Sequence, residues 1–398
     1  MTGLVPRDHW EHSIGDFFHG LASVLGTRGQ DKNLHIAGIG NCIPVRAGRA
    51  GLVAAIRALN LSPGSLIGVP LFCCPVVFKA ITTAGCTPHF LDIEPDTFCV
   101  FPEDVSSKRS KFEAVIAVHM FGNLCDMAKL KAAAEDKPII EDCAQAIGSL
   151  NKGRMAGSFG NIAFFSFRSG KYISAGEGGA LYSGNANIYS RASQFVAETA
   201  IPTRAEEYLH ALKNYIKSIL RSRPLYGIAG NRLWHIFNKK MRLSENSNIV
   251  LSQIYRADLN IIRRRLPLLG SQIERQRDNA AIFSRNLQLE PNMLCSEKPE
   301  MFYNRYHYPI IFPSAEHRDL IAAYLIKSQI DSIKYLDDVV DVAANHYGYK
   351  GDCPVAERLS KRVLIIPSYY SLRKKEVQRI AQCVNAGWAK ITSRGRKA

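Results

Sequence analysis

From residue 47 to about 185, short apolar runs alternate with segments of helical spacing, the pattern of an α/β layered fold. Ala50 to Leu59 repeats apolar residues at helical intervals and stops at the turn Ser62-Pro63-Gly64. Leu66 to Val69 predicts a strand, Val76 to Ala84 a helix closed by Gly85, and His89 to Ile93 the next strand. Ala114 to Val118, Pro138 to Ile140, Ile162 to Phe167 and Gly179 to Tyr182 predict four further short strands. Between about 205 and 242, Leu209, Leu212, Ile216, Ile219 and Leu220 fall on helical spacing. Ile249 to Asn286 predicts one long helix, broken at Pro267, where proline removes an N–H donor. After Asn304 the strand–helix pattern restarts. The expected division is a large domain over 1–250 and, over 251–398, a long linking helix with a smaller C-terminal domain.

Bulk composition narrows the classes. Apolar residues make up 46% of 398, ordinary for a globular protein, and no apolar run reaches the roughly 18 residues of a spanning helix. Asp8, Glu11 and Asp16 follow the start without an apolar stretch behind basic residues, so no secretion signal is expected. Ten scattered cysteines, with no C-x-x-C, suggest neither a disulfide framework nor a zinc site and favour a reduced, cytoplasmic setting. The formal charge of +16 is partly local: from Tyr208 to Arg242 there is no Asp or Glu, but eight lysines and arginines. No helix-turn-helix pattern or aromatic RNP strand accompanies it, so nucleic acid is not an expected partner. The basic stretch reads as a lid or dimer element, a peripheral contact with an anionic membrane, or a solvated charged face.

Four local features carry candidate chemistry. Ala47-Gly48-Arg49-Ala50-Gly51 opens a helix, whose N–H groups and dipole suit a phosphate; close packing against a strand would serve equally. Glu141-Asp142 follows a buried strand, where open α/β sheets bind ligands, and a carboxylate there can keep a pyridine nitrogen protonated. An aspartate at that point also suits a helix N-cap, so the two roles can be divided between the pair. Lys171 sits on a turn just beyond a strand that ends near Ser166, a poorly solvated place that favours a nucleophilic amine. Gly176-Glu177-Gly178-Gly179 implies a tight backbone beside something large, or a plain turn.

Taken in order, these features resemble the DegT/DnrJ/EryC1/StrS family of pyridoxal-phosphate sugar aminotransferases. The resemblance rests on IEDCAQA (140–146), GSFG (157–160), FSF (165–167) with Lys171, and GEGG (176–179). Flanking segments agree: Val69-Pro70, AGCTP (84–88) with Asp92-Ile93, HMFG (119–122) with Asp126-Met127, and GDCPVAE (351–357) with Ile366-Pro367. It implies fold type I: a large domain with a mostly parallel seven-stranded sheet flanked by helices, plus a smaller C-terminal α/β domain. It also implies a homodimer and the transfer of an amino group, from glutamate, to a keto group of a nucleotide-activated sugar. Lys171 would hold pyridoxal 5′-phosphate as a Schiff base and move the proton, and Asp142 would pair with the ring nitrogen. Gln145 would lie against the ring or its phenolic oxygen, and Ser166 with the backbone of Gly48, Arg49 and Ala50 would bind the phosphate. Relatives that dehydrate carry histidine where this chain has Lys171.

Several positions depart from the family pattern. Arg49 stands where a hydroxyl residue is usual, Cys74 where an aromatic ring usually stacks on the cofactor, and Lys240 where an asparagine precedes Arg242 by two residues. The basic stretch is also long for the family. These departures leave two alternatives. One is other pyridoxal-phosphate chemistry, such as elimination or transfer to a non-sugar ketone. The other is a non-catalytic, membrane-associated member. His119, at a strand end, reads either as a base or as the cap of a polar network, and His307 as structural or substrate-facing.

Overall fold

The computed structural model describes residues 4–8, 10, 12–26, 33–221 and 248–395. The expectations placed on Lys240, Arg242 and the basic stretch beyond Arg221 lie outside these residues. Helix α1 (Ile14–Leu25) begins in a capping box: the Ser13 side chain and the Asp16 carboxylate each accept an N–H that the first turn leaves open. β1 (Leu34–Ile36) and β2 (Gly40–Val45) pair antiparallel, and β2 leads into α2 (Gly48–Ala58). Then follow β3 (Leu66–Pro70), α3 (Pro75–Thr83), β4 (Thr87–Leu91), α4 (Pro102–Lys108), β5 (Ala114–Val118), α5 (Met127–Ala134) and β6 (Ile139–Asp142). A small hairpin of β7 (Leu150–Asn151) and β8 (Arg154–Met155) precedes β9 (Ile162–Ser166) and β10 (Gly179–Tyr182).

Among the described residues the main sheet has the order β1-β2-β10-β9-β6-β5-β3-β4. Strands β9, β6, β5, β3 and β4 are parallel, while β10 runs antiparallel between β9 and β2. The six strands read from the sequence are present; β2 and the three-residue β1, for which no strand was expected, bring the sheet to eight, one more than the seven the resemblance implied. Because β2 opposes β10, it points the same way as β9. The carboxyl ends of β2, β3, β5, β6 and β9 therefore share one edge, where doubly wound sheets bind ligands.

Helix α2 shows why the sheet is covered there. Leu52, Val53, Ala54, Ala55, Ile56 and Ala58 are all buried, so the helix is apolar nearly all round. It lies between the sheet and helices α3 and α6 (Ala186–Ala197). Each buried Leu, Val or Ile contributes about 1.5–3 kcal/mol of transfer free energy. A side chain on Gly51 would meet Val45 Cγ2 at 3.2 Å, so glycine permits this close approach of helix to sheet.

Helix α7 (Arg204–Arg221) follows, then α8 (Arg256–Arg265) and α9 (Leu269–Asn286). The long helix expected from 249 thus starts later, because Ser252 bridges Ala200 in extended conformation. The break at Pro267 is real: a 3₁₀ turn over Leu266–Leu268 joins α8 to α9. The remaining elements are β11 (Met301–Phe302), β12 (Tyr308–Ile311), α10 (Ala315–Lys327), β13 (Ile333–Lys334), α11 (Val339–Tyr347), α12 (Pro354–Arg362), β14 (Val363–Ile366) and α13 (Lys374–Gly395). Strands β12, β14 and β13 make a second, antiparallel sheet whose core joins Ile310, Phe312 and Leu364 to Phe283, Ile321 and Val377.

Candidate active site

The shared sheet edge gathers the chemistry-bearing residues from five separate segments. Asp142 ends β6 and is buried; its Oδ1 accepts the Ala144 N–H at 2.9 Å. Burial raises its carboxyl above the ordinary value, while the Ala144 N–H and the charges of Lys171 and His119 pull it down. Lys171 lies beyond β9, on a turn that Gly170 enters with φ +91. Burial and the Arg168 charge lower its amine to about 8, although Asp142 and Cys74 act the other way. The ammonium nitrogen stands 4.7 Å from the ring centroid of Tyr306, whose hydroxyl donates to Gly170 O at 2.9 Å.

Glu141, one residue earlier, faces the opposite side of the strand, as the two-residue period requires. It is fully buried and accepts hydrogen bonds from the N–H groups of Gly157, Phe159 and Gly160 and from His119 Nε2 at 3.0 Å. The Cys125 N–H donates to His119 Nδ1 at 3.2 Å, so Nε2 carries the ring proton. Burial alone would raise Glu141, but His119 and the backbone donors more than offset it and hold the carboxyl low. The neighbouring carboxylates are thus told apart by their partners. Glu141 ties β6 to β5 and to the 157–160 turn, and His119 is the polar cap of that network. Neither carboxylate caps a helix. Replacing Glu141 with alanine should cost several kcal/mol, because it leaves buried N–H donors of Gly157, Phe159, Gly160 and His119 without an acceptor, at roughly 1–3 kcal/mol for each one left unsatisfied. Thermal unfolding checks this; an unchanged melting temperature would remove Glu141 from the scaffold.

Gln145 is buried; its Oε1 accepts the Phe121 N–H at 3.0 Å and its Nε2 donates to the Tyr335 hydroxyl at 2.9 Å. Tyr335 adjoins the rings of Phe121, His307 and Phe72. Phe72 is fully buried in this cluster, whereas Cys74, the residue before α3, is exposed and acts electrostatically on both Lys171 and Tyr335. His307 is pushed down to about 3 by burial and by Lys171, so it is neutral at physiological pH.

The first turn of α2 completes the edge. Its N-cap is Ala47, which offers no side-chain hydrogen bond, so the first-turn N–H groups of α2 have no side-chain cap. A Cβ on Gly48 would lie 2.9 Å from Ser166 Cβ, and Ser166 Oγ has no hydrogen-bond partner among the described residues. An uncapped helix start beside a serine hydroxyl suits a phosphate group. The Arg49 side chain turns instead to Glu177, at 3.4 Å, and Glu177 also binds Arg46, which lies 3.8 Å over the Tyr255 ring. The GEGG segment has the large neighbours its sequence implied. Gly176 (φ +102) faces Asn214 of α7, and Gly178 (φ +105) faces Ile262 of α8, where a Cβ would fall 2.1 Å and 2.9 Å away.

All eight residues singled out in the sequence, Gly48, Arg49, Ala50, Cys74, Asp142, Gln145, Ser166 and Lys171, therefore meet at one edge, Arg49 by its backbone only. Tyr306, Tyr335 and the Arg46–Glu177 pair were missed. Tyr306 stands beside His307, which was noticed, but Tyr335 reaches Gln145 across 190 positions and left no local signal. The donor set fits pyridoxal phosphate: a phosphate cradle too tight for a side chain, a buried carboxylate with an unused oxygen, and a lysine with a lowered pKa.

Comparison with known proteins agrees. A GDP-perosamine synthase from Escherichia coli O157:H7 is 27% identical over 86% of this chain and 84% of the relative. A UDP-N-acetyl-3-dehydro-alpha-D-glucosamine 3-aminotransferase from Acidithiobacillus ferrooxidans is 26% identical over 95% and 93%. Among solved structures, the PMP form of the sugar aminotransferase Spr1654 from Streptococcus pneumoniae superposes with a TM-score of 0.75 at 19% identity, over 97% of this chain and all of that one. The model of the DegT/DnrJ/EryC1/StrS aminotransferase family matches residues 34–385, and the chain belongs to that family of pyridoxal-phosphate enzymes.

Proposed function

We propose that this aminotransferase moves an amino group from glutamate to a keto group of a nucleotide-activated sugar. The observation that carries the reading is Lys171, with its amine lowered to about 8, set beside the buried Asp142 at the sheet edge. Bound there, pyridoxal phosphate supplies an electron-accepting ring that takes nitrogen from a donor and returns it to a ketone. Lys171 would hold the cofactor covalently, and its Nζ would take the proton from the donor carbon that loses the amino group and, in the second half-reaction, give one to the sugar carbon that gains it. Asp142 keeps the ring nitrogen charged. Ser166 and the N–H groups of Gly48, Arg49 and Ala50 would hold the phosphate, while Gln145 and Cys74 would bound the ring.

The GDP-sugar product in one relative's name and the UDP-linked dehydro sugar in the other's support a nucleotide sugar as acceptor, and the charge of +16 suits its diphosphate. The same reading makes the enzyme a cytoplasmic homodimer, with the chain divided near residue 250 into a cofactor domain and a smaller C-terminal domain. Among the described residues no helix is long and apolar enough to cross a membrane.

Adding glutamate to the cofactor-loaded protein should exchange the visible band of the Lys171-bound cofactor for the near-ultraviolet band of its amino form. A GDP- or UDP-linked keto sugar should then restore the visible band. If ammonia is released with no donor present, elimination replaces transfer; if glutamate leaves the spectrum unchanged, the assigned donor is wrong.

A further inference from the structure

Helix α7 is turned opposite to an ordinary surface helix. Its inward face is polar: Glu207 binds Arg256 at 2.7 Å, His210 binds Asp258 at 2.8 Å, and Ser218 donates to His12 O at 3.0 Å. Asn214, on the same face, packs on Gly176. Its outward face is apolar. Leu209, Ile216, Ile219 and Leu220 are 41–49% exposed, a stripe at helical spacing over about three turns. Lys213 and Lys217, both exposed, lie along one edge of this stripe.

Helix α1 continues the surface. Phe17 stacks on Tyr215 with ring centroids 5.0 Å apart, and Ile14, Phe18 and Leu25 along α1 are 58–72% exposed. Two neighbouring helices thus present large apolar side chains to solvent, which monomeric surfaces rarely do without a partner.

We infer that the outward face of α7 and α1 docks on an anionic lipid membrane surface. The apolar stripe would enter the boundary between headgroups and acyl chains, with Lys213 and Lys217 on lipid phosphates. Charge selects this occupant over a second copy. Pairing two such faces would bring lysines together in a chain already carrying +16, whereas an anionic surface neutralises them. On α7 no acidic residue follows Glu207, and the exposed Glu206 of its first turn is engaged by the Thr203 N–H and hydroxyl.

The test is co-sedimentation of the full chain, loaded with cofactor, with vesicles of phosphatidylcholine alone or mixed with phosphatidylglycerol. Binding is expected to the mixed vesicles only and to weaken with salt. Lys213→Gln/Lys217→Gln should reduce the partition coefficient about 30-fold, from the usual contribution of a basic side chain at an anionic surface. Leu209→Ser/Ile216→Ser/Leu220→Ser should abolish binding while leaving the visible cofactor band intact, which shows that the variant is folded. No binding to either vesicle, or binding indifferent to these substitutions, overturns the proposal. So does an assembly, seen by ultracentrifugation without lipid, that the triple serine variant dissolves, because the face would then belong to a second copy.

Discussion

Lys171→Ala should lower kcat by about 10⁴-fold or more, since the variant loses both the covalent anchor and the proton carrier. No neighbour can take over. His307 is close, but a nitrogen held down to about 3 is too weak a base at neutral pH. His119 is fully buried and committed on both ring nitrogens, to Glu141 and to the Cys125 N–H. The variant should still bind cofactor through its phosphate but show no visible band of a lysine-bound species. Turnover or that band in Lys171→Ala would move the chemistry to another residue. The titration of Lys171 adds a sign. Only the unprotonated amine is nucleophilic, and its fraction grows as pH rises through about 8 rather than through the ordinary lysine value. The rate at which the apoprotein develops the visible band should therefore climb with pH and level off above about 8.

Asp142→Asn should lower kcat by about 10²–10³-fold, the scale seen when one fixed electrostatic partner is removed from a low-dielectric site. Asparagine keeps the shape and can still accept the Ala144 N–H, but it carries no charge to hold a protonated ring nitrogen. The visible band should persist, because Lys171 is untouched. A second readout separates this role from a structural one. The Asp142 charge favours the protonated amine of Lys171, so its removal should shift the reconstitution midpoint below about 8. An unchanged midpoint with lowered kcat would mean that Asp142 acts through the fold and not through its charge.

How much of the site was legible follows from where each signal resides. Lys171, Ser166 and the GEGG segment lie within 14 residues of one another, and their order along the chain already resembled one family. Strand edges were legible where a run was both apolar and short, as for Ala114–Val118 and Gly179–Tyr182. Legibility failed where long-range contact overrides local preference. Helical spacing was read back to Ile249, yet residues before Arg256 are extended because Ser252 bridges Ala200. Cys74, read as the ring-facing position, is exposed and acts electrostatically on Lys171, whereas Phe72 is fully buried.

By itself the sequence determined the layered α/β class and the family, and it singled out Lys171. These depend on hydrophobic period and on residues close together in the chain, and both survive without coordinates. The tertiary structure supplied the physical reason that Asp142, and not Glu141, is the available carboxylate of the pair. One residue of strand rotates Glu141 onto three backbone N–H groups and leaves Asp142 a single hydrogen bond. It alone brought Tyr335 to Gln145 and set the apolar stripe of α7 outward. The periodicity of Leu209, Ile216 and Leu220 reveals an amphipathic helix but not which side faces the protein. That orientation was settled by Asp258, Arg256 and Gly176, distant residues whose hydrogen bonds and close packing claim the polar face.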